Sequence, residues 1–472
     1  MSGRNGPVVC RRGFISSAVG AAAYAAMPSW AGNIAVPGYY SKYLDSVAGK
    51  IASKAKSATD GFFFITDLHV NCNFKKSGGL IASLSGSAPV RKVLCGGDLP
   101  GAYTESFPND RVPLDYAVDW YRKGWVDPIE SAGVDVYTAR GNHDFSIRRS
   151  AKSEEGCTIP AAETRSIIMG TKAVARDAVD DPANPDAICY YFDNAASKVR
   201  YIVADSTDST IPGRRYWILR YGMHAAQLEW LAGTAFATVP PGWSIVVMQH
   251  IPVVGCITTT AEAKIFDAFR ELMEAYQNRK VWCSASGRNF DFGGAGGRIM
   301  LDITGHVHCE RQAFLNGILH VTEPCDACYK DYIYHSPLCG NLPIKAVGTI
   351  YEHTFDAVQV DASRGLVHFT RIGGGQDRVI HTDAARMSVG DVKRFKAEHL
   401  HGPLTWVVYD GDESVSVRRE DENGRQVSFT EYKTTFAAVD SAGCVKALRP
   451  GTAMVVALDS ALNKEIFPLS IG

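Results

Sequence analysis

The chain has 472 residues, of which 46% are hydrophobic and 21% are charged, proportions that are typical of globular proteins and exclude a disordered chain. Its length suits about three domains. A domain of roughly 300 residues can bury a large core without disulfides or structural metals. The 49 Lys and Arg residues nearly balance the 50 Asp and Glu residues, which removes the general electrostatic case for nucleic acid or an anionic membrane surface as a partner.

The first 31 residues have the pattern of an export signal. Arg11 and Arg12 precede an apolar run from Ala18 to Met27, and small residues lead up to Ala31, after which we expect cleavage. The paired arginines resemble a twin-arginine signal, which a receptor reads and which is no lasting anchor. The alternative is an amphipathic N-terminus that is not cleaved. No other stretch reaches 18 uninterrupted apolar residues, so we expect no transmembrane span. The export signal predicts a periplasmic or extracellular protein.

Residues 32–58 are interpreted as a linker with a short helix from Tyr40 to Lys56. After it, short apolar runs alternate with helical or loop stretches, which is typical of a layered α/β domain with strands buried on both faces. The predicted strands are Phe62–Ile65, Val93–Cys95, Val134–Tyr137, Val199–Ala204, Ile245–Met248 and Arg298–Ile303. The predicted helices are Tyr116–Ser131, Ala225–Ala237 and Ala261–Asn278. This domain is assigned to residues 59–382. Residues 145–188 are interpreted as an insertion that forms a lid or rim over a functional site.

The composition changes near residue 383, where short strand-like runs separated by turn signals predict an all-β module over residues 383–472. The runs include Leu404–Tyr409 and Met454–Leu458. The stretch from Ala437 to Val445 and the Pro450-Gly451 turn that follows resemble bacterial immunoglobulin-like group-2 domains. The resemblance implies a small β-sandwich, and the partner we expect for it is the cell envelope or a glycan.

Five of the predicted strands run into acidic, histidine or asparagine side chains. These side chains are Asp67 and His69, Asp98, Asn142 with His143 and Asp144, His250, and His306 with His308. Ligands of open α/β sheets bind beyond the carboxyl ends of the strands, so parallel pairing would bring the five groups to one edge. The glycines that precede Asp98, Asn142 and His306 allow sharp turns and close backbone approach there.

Oxygen and imidazole ligands without thiolates suit Fe, Mn or Zn. Six or seven such ligands exceed the needs of one tetrahedral ion. The sequence therefore predicts two divalent metal ions that share a carboxylate.

The order Asp-x-His, Gly-Asp, Gly-Asn-His-Asp, His and Gly-His-x-His resembles the calcineurin-like metallophosphoesterase family over roughly residues 59–375. The resemblance implies an α/β fold of two stacked mixed β-sheets flanked by helices, with the metal centre at the carboxyl ends of the strands. It also implies the ligand sets. One ion would be held by Asp67, His69 and His308, the other by Asn142, His250 and His306, with Asp98 bridging; His143 would lie beside them as a proton donor or phosphate contact, steered by Asp144.

The activity that this resemblance implies is hydrolysis of phosphomonoesters or phosphodiesters, in small molecules or polymers. Two cations clamp a phosphoryl group and lower the pKa of a bridging water, which supplies hydroxide at neutral pH, and His143 would protonate the leaving oxygen. One alternative is a nucleotidase or pyrophosphohydrolase that uses the same site. Another is a non-catalytic envelope-binding protein with a structural metal site, which the complete ligand set disfavours.

Three further features constrain the site. Gly101 occupies the position of the tyrosine ligand that purple acid phosphatases carry three residues after the bridging aspartate, so no iron–tyrosinate colour is expected. Arg148 and Arg149 are either phosphate ligands or a solvated basic patch. Cys325 and Cys328 form a C-x-x-C without a second such pair, which favours a local disulfide or free thiols over a zinc knuckle.

Overall fold

A computed structural model describes residues 36, 38–55, 60–69, 73–99, 121–144, 177–184, 187–208, 222–255, 257–258, 260–327, 334–335, 345–409, 414–420, 426–432 and 434–472. The predicted export signal, Gly101, Arg148, Arg149 and Cys328 lie outside these residues, as does most of the predicted insertion at 145–188. Within them, no helix is long and apolar enough to cross a membrane.

The strands occupy most of the described chain. Those of its first part are β1 (Asp60–Ile65), β2 (Lys92–Cys95), β3 (Asp135–Thr138), β4 (Val179–Asp180), β5 (Tyr190–Asn194), β6 (Val199–Val203), β7 (Ser244–Met248), β8 (Val281–Cys283), β9 (Asn289–Asp291), β10 (Arg298–Thr304), β11 (Arg311–Leu315) and β12 (Ile318–Thr322). The later ones are β13 (Tyr334–His335), β14 (Thr354–Asp361), β15 (Leu366–Gly373), β16 (Arg378–His381), β17 (Ala385–Met387), β18 (Val392–Arg394), β19 (Thr405–Tyr409), β20 (Ser414–Glu420), β21 (Gln426–Tyr432), β22 (Ala437–Val439), β23 (Cys444–Ala447), β24 (Gly451–Leu458) and β25 (Lys464–Ile471).

Helices lie between many of these strands. They are α1 (Ser41–Ala55), α2 (Phe74–Ser87), α3 (Asp127–Ser131), α4 (Ala225–Trp230), α5 (Thr260–Ala263) and α6 (Asp267–Gln277). A π-helical stretch, Arg122–Val126, precedes α3, and another, Leu231–Phe236, follows α4. Short 3-10 turns occupy Gly38–Tyr40, Lys264–Phe266 and Ile350–Glu352.

The first large sheet has the strand order β19-β24-β25-β16-β15-β14-β1-β2-β3, and β17 also pairs with β25. Strands β1, β2 and β3 are parallel, with Phe63 opposite Val93 and Lys92 opposite Asp135. Every residue of β14 and β15 is buried, as expected for strands covered on both faces. The parallel arrangement places the carboxyl ends of β1, β2 and β3 at one edge.

The second large sheet has the order β11-β12-β10-β7-β6-β5-β4, in which β6, β7, β10 and β12 are parallel. The two sheets face each other: the Phe62 ring of β1 meets the Tyr201 ring of β6 edge-on at 5.8 Å, and the Tyr201 hydroxyl donates to Asp60 at 2.7 Å. The predicted α/β fold of two stacked mixed sheets is therefore confirmed.

Helices cover the outer faces of both sheets. Helix α1 buries Leu44, Val47 and Ile51, whose spacing puts them on one face, and the Ile51 carbonyl accepts a hydrogen bond from the Gln359 side chain of β14 at 3.0 Å. Helix α6 buries Phe269, Leu272 and Tyr276 in the core cluster of the second sheet. The predicted α1 and α6 regions are thus helical, and their apolar faces lie against strands.

Of the strands after residue 383, β17, β19, β24 and β25 are hydrogen-bonded into the first sheet, while β18, β22 and β23 form a separate three-stranded sheet and β20 and β21 form another with β13. Strand β25 pairs in parallel with β16, with Arg378 opposite Lys464 and Ile380 opposite Ile466, and β24 pairs antiparallel with β25. Strands β23, β24 and β25 share a small apolar core that includes Val445, Val455 and Leu469. The sheet continues across residue 383, because β25 covers what would otherwise be the exposed edge of β16; the separate immunoglobulin-like sandwich stays a prediction.

Candidate metal centre

All five predicted groups follow directly on strands of the two sheets. Strands β1, β2 and β3 lead into Asp67, Asp98 and Asn142, while β7 and β10 lead into His250 and His306. Every one of these strands ends within a residue of the predicted end. The nine candidate residues therefore gather where the carboxyl ends of both sheets meet.

The loops that carry the site have unusual backbone geometry. Five non-glycine residues have positive φ: Asp67 (55°), His69 (47°), Asp98 (54°), His306 (70°) and His308 (57°). Such conformations cost on the order of 1–3 kcal/mol each and persist only where the surrounding structure enforces them. Here, five strained residues belong to one cluster of side chains.

Backbone hydrogen bonds between the loops enforce this geometry. The His69 amide donates to the Asp98 carbonyl at 2.9 Å, and the Gly305 amide donates to the His250 carbonyl at 3.0 Å. The His306 amide donates to the Asp67 carboxylate at 2.9 Å. Loops from different strands are thus fixed to one another.

Two of the predicted glycines are required for the close approach of these loops. A Cβ on Gly141 would lie 2.1 Å from the Asp98 Oδ1 atom, and one on Gly305 would lie 2.0 Å from the Thr66 Oγ1 atom. Only glycine fits at either position.

The first ligand group consists of Asp67, His69, Asp98 and His308. Their ligand atoms all lie within 4.8 Å of one another. The His308 Nε2 atom is 2.9 Å from Asp67 Oδ1 and 3.2 Å from His69 Nε2. The His69 Nε2 atom is also 3.8 Å from Asp98 Oδ2.

The second ligand group consists of Asn142, His250, His306 and again Asp98. The Asn142 Oδ1 atom is 2.9 Å from His306 Nδ1 and 3.0 Å from His250 Nε2. The His250 Nε2 atom is 3.4 Å from Asp98 Oδ2. The same carboxylate oxygen therefore faces both groups.

The donor set fits two metal ions. Ligand atoms that share an ion, with bonds of about 2.0–2.2 Å, lie roughly 3–3.5 Å apart, and the separations within each group centre on that range. Carboxylate, amide and imidazole donors suit Mn, Fe or Zn. Asp67, His69 and His308 would hold one ion, Asn142, His250 and His306 the other, and Asp98 could serve both.

The charges of the site are mutually dependent. Burial alone would raise the pKa of the Asp67 carboxyl, but the imidazoles of His308 and His69 outweigh it and hold that pKa well below its ordinary value. His250 and His143 do the same for the pKa of Asp98. Burial opposes protonation of His250, yet the Asp98 carboxylate raises its pKa to about 9. The acids are thus held ionised, the state in which carboxylates bind cations.

His143 is the most exposed imidazole of the site. Its side chain is 31% exposed and its Nε2 atom lies 3.9 Å from Asp98 Oδ2. Its amide donates to Asp98 Oδ1 at 2.8 Å, and its ring crosses that of His69 at 4.9 Å. His143 is therefore fixed beside both ligand groups with its side chain partly exposed to solvent.

The Asp144 carboxylate is bound by backbone amides of the site loops. It accepts hydrogen bonds from the amides of Asp98 (3.1 Å), Leu99 (3.0 Å) and Gly141 (2.7 Å). Asp144 ties the loop after β2 to the loop after β3, because its carboxylate accepts hydrogen bonds from amides of both loops.

Sequence reasoning missed two groups that support the site. Arg140, directly before Gly141, forms a buried ion pair with Asp205, which follows β6. The sequence did offer an indication of this pair, since Asp205 is an acid that follows a sixth predicted strand. Glu262 has its Oε1 atom 3.5 Å from His306 Nε2, and an acid at the start of a predicted helix gave no such indication.

Comparisons with known proteins found similarity among solved structures. No protein-family model and no curated protein matches the chain. A dimetal phosphatase from Danio rerio matches with 14% identity and a TM-score of 0.43, over 68% of this chain and 98% of that one. A Staphylococcus aureus protein described as a 5'-nucleotidase matches with 12% identity and a TM-score of 0.32, over 66% and 53%.

A phosphopantetheinyl hydrolase from Mycobacterium tuberculosis matches with 12% identity and a TM-score of 0.27, over 57% of this chain and 91% of that one. Identities and scores this low leave the geometry of the site itself as the basis for its function.

Proposed function

We propose that the protein is a phosphoesterase that uses two divalent metal ions to hydrolyse phosphomonoesters or phosphodiesters. One observation carries the proposal: Asp98 Oδ2 lies 3.8 Å from the first ligand group at His69 Nε2 and 3.4 Å from the second at His250 Nε2. A carboxylate oxygen between two complete ligand groups is what a pair of adjacent ions requires.

The ions, when bound, would neutralise phosphoryl charge and lower the pKa of water between them. The chain supplies a rigid frame for this chemistry. The positive-φ residues of the loops and the hydrogen bonds between the loops fix the ligands before substrate binds. His143 presents its ring to the open side of the site, where an imidazole that holds a proton can donate it to the leaving oxygen. Among the described imidazoles of the two ligand groups, none has a larger exposed fraction of its side chain than His143.

The proposal extends to where the protein acts. We infer export through the twin-arginine signal over residues 1–31, a periplasmic or extracellular location, and a module over residues 383–472 that contacts the envelope or a glycan. The sequence patterns support these inferences. Fractionation of cells that carry Arg11→Lys and Arg12→Lys together tests the export step, which should fail in the double variant.

Metal dependence is the direct test of the activity. Purified protein should contain two divalent ions per chain by elemental analysis. It should hydrolyse p-nitrophenyl phosphate or bis(p-nitrophenyl) phosphate, lose that activity on chelation, and regain it with Mn²⁺. Full hydrolysis after complete removal of metal would contradict the proposal, and metal binding without hydrolysis of any phosphoester would favour the envelope-binding alternative.

A further inference from the structure

We propose that Glu262 is a positioning residue for the second ligand group, which it serves by accepting the proton on His306 Nε2. This inference rests on the proposed function, because it assigns the orientation of one ligand of that same site. Glu262 is not one of the predicted metal ligands; it acts through His306.

The contact joins the outward side of His306 to a carboxylate. Glu262 Oε1 lies 3.5 Å from His306 Nε2, while the other ring nitrogen, Nδ1, lies 2.9 Å from Asn142 Oδ1. A contact of 3.5 Å is long, and hydrogen bonds in such sites commonly tighten when the ligand is bound. Nε2 thus faces the Glu262 carboxylate, and Nδ1 faces Asn142 of the second ligand group.

The tautomer of His306 follows from this arrangement. A neutral imidazole carries one proton, and an acceptor at one nitrogen keeps the proton there and leaves a lone pair on the other. With the proton on Nε2, the Nδ1 lone pair faces Asn142 Oδ1, where it would be free to bind an ion held by the second ligand group. A carboxylate behind a ligating histidine also increases the basicity of the ligating nitrogen.

His250, the other imidazole of the second group, has the same arrangement in mirror form. Its Nδ1 atom lies 2.7 Å from the Gly96 carbonyl oxygen, and its Nε2 atom faces Asn142 Oδ1 and Asp98 Oδ2. Each imidazole of the group therefore has a fixed oxygen behind it. For His250 that oxygen belongs to the backbone, and for His306 it belongs to Glu262.

The Glu262 carboxylate is held in place by the loop that precedes its helix, α5. Its Oε2 atom accepts a hydrogen bond from the buried Thr258 hydroxyl at 2.6 Å. The neighbouring Ile257 carbonyl accepts from Arg311 at 3.3 Å, which ties this loop to the start of β11. The hydrogen bond to Oε2 thus orients the Glu262 carboxylate, and Oε1 faces His306.

The test measures metal affinity in the full chain with Mn²⁺ as the probe. Glu262→Ala should weaken binding of one of the two Mn²⁺ ions by about 10–100-fold and leave the other unchanged in titration calorimetry. It should also reduce the spectroscopic signal of a coupled Mn²⁺ pair. Glu262→Gln keeps an acceptor oxygen and should restore most of the affinity, whereas Thr258→Val should give a smaller loss. The matched control is Glu271→Ala, on the exposed face of α6.

The outcomes separate this inference from the proposed function. Wild-type protein that binds no pair of ions contradicts the proposed function and this inference with it. Wild-type protein that binds two ions, with Glu262→Ala equal to it, overturns the role of Glu262 alone. Glu262→Gln that falls to the level of Glu262→Ala would overturn the acceptor role. If Glu262→Ala does not fold, judged by circular dichroism, the Gln and Thr258→Val variants decide.

Discussion

At the scale of single residues, Asp98 connects more of the site than any other side chain described here. Its Oδ2 faces both ligand groups, its Oδ1 accepts the His143 amide at 2.8 Å, and its carbonyl accepts the His69 amide at 2.9 Å. It is also fully enclosed, with 1% of its surface exposed. A change at this position therefore affects both ions and the proton donor together.

Asp98→Asn should remove activity by unseating both ions, since a neutral amide cannot supply the shared anionic oxygen. We expect a loss on the order of 100-fold or more in kcat, with fewer than two metal ions per chain by elemental analysis. The melting temperature serves as the folding control. Turnover close to that of the wild type would show that Asp98 does not bridge.

His143→Ala tests proton donation. A general acid contributes roughly 10²–10⁴-fold to rate, but only where the leaving oxygen needs a proton. We expect a large loss for alkyl phosphate esters and a small loss for p-nitrophenyl phosphate, whose leaving group is stable as an anion. Equal losses on the two substrates would argue against a donor and leave His143 as a phosphate contact.

The candidate ligands could be predicted from sequence because each follows an apolar strand, and strand ends are visible in an apolar run. The three backbone amides that donate to Asp144 could not be predicted, since the position of a residue in the sequence says nothing of where its carboxylate points. The contact between Glu262 and His306 could not be predicted either. An acid in the first turn of a helix is common for electrostatic reasons alone, so its contact with His306 is visible only in three dimensions.

At the scale of elements, Glu352 joins the N-terminal helix to the body of the protein. It accepts hydrogen bonds from Tyr39, which precedes α1, from Lys76 of α2 at 2.9 Å, and from the Gly348 amide at 2.8 Å. Burial alone would raise the pKa of Glu352, but these bonds and the one with His353 outweigh it and lower the pKa from 4.5 to about 2. The folded protein therefore favours the ionised carboxylate.

The pH dependence of stability should reflect this. A folded-state pKa below the unfolded value gives stability that is present above about pH 4.5 and is lost as the pH falls toward 2. Glu352→Gln should thus be less stable than the wild type at pH 7, by on the order of 2 kcal/mol, and the difference should shrink as the pH falls toward 2. Urea unfolding at pH 7, 5 and 3 measures it.

The control for that series is Glu398→Gln, at an exposed position. A difference between Glu352→Gln and the wild type that stays constant from pH 7 to pH 3 would show that the Glu352 charge contributes nothing to stability.

The strands themselves were easier to predict than their partners. Apolar runs with little alternation gave β1, β2, β7 and β10 close to their observed bounds, because buried parallel strands are continuous in hydrophobicity. The pairing of β25 with β16 was not predictable. Register between strands distant in sequence depends on which faces are buried after folding, and nothing local in Lys464–Ile471 identifies β16 as its neighbour.

At the scale of the whole molecule, a buried network of charges lies between the two sheets. Its three acids and three cations are Glu310, Glu323, Asp356, Arg371, Arg378 and Lys464. The acids come from β14 and from the loops beside β11 and β12, and the cations come from β15, β16 and β25. Opposite charges in contact offset part of the cost of burial, while burial and the neighbouring Asp356 carboxylate raise the pKa of Glu323 well above its ordinary value. One of the cations belongs to the C-terminal region that the sequence predicted as a separate domain.

Lys464 therefore offers a test of whether residues 383–472 are energetically independent. Its ammonium lies 2.6 Å from Glu310 Oε1, and Lys464→Met would remove that charge while keeping the length of the side chain. Because it leaves a buried carboxylate with less compensation, we expect a loss of about 3 kcal/mol in the free energy of unfolding. The loss should appear in a single urea transition that also abolishes the activity.

The control is Lys446→Met, at an exposed position of β23, which should leave the transition unchanged. An independent sandwich would instead give two transitions, with Lys464→Met shifting only one of them and the phosphoesterase activity following the other. That result would support the predicted boundary at residue 383. A single shifted transition would mean that β25 is part of the fold that holds the metal centre, since the sheet it joins also carries the loops of Asp67 and Asp98.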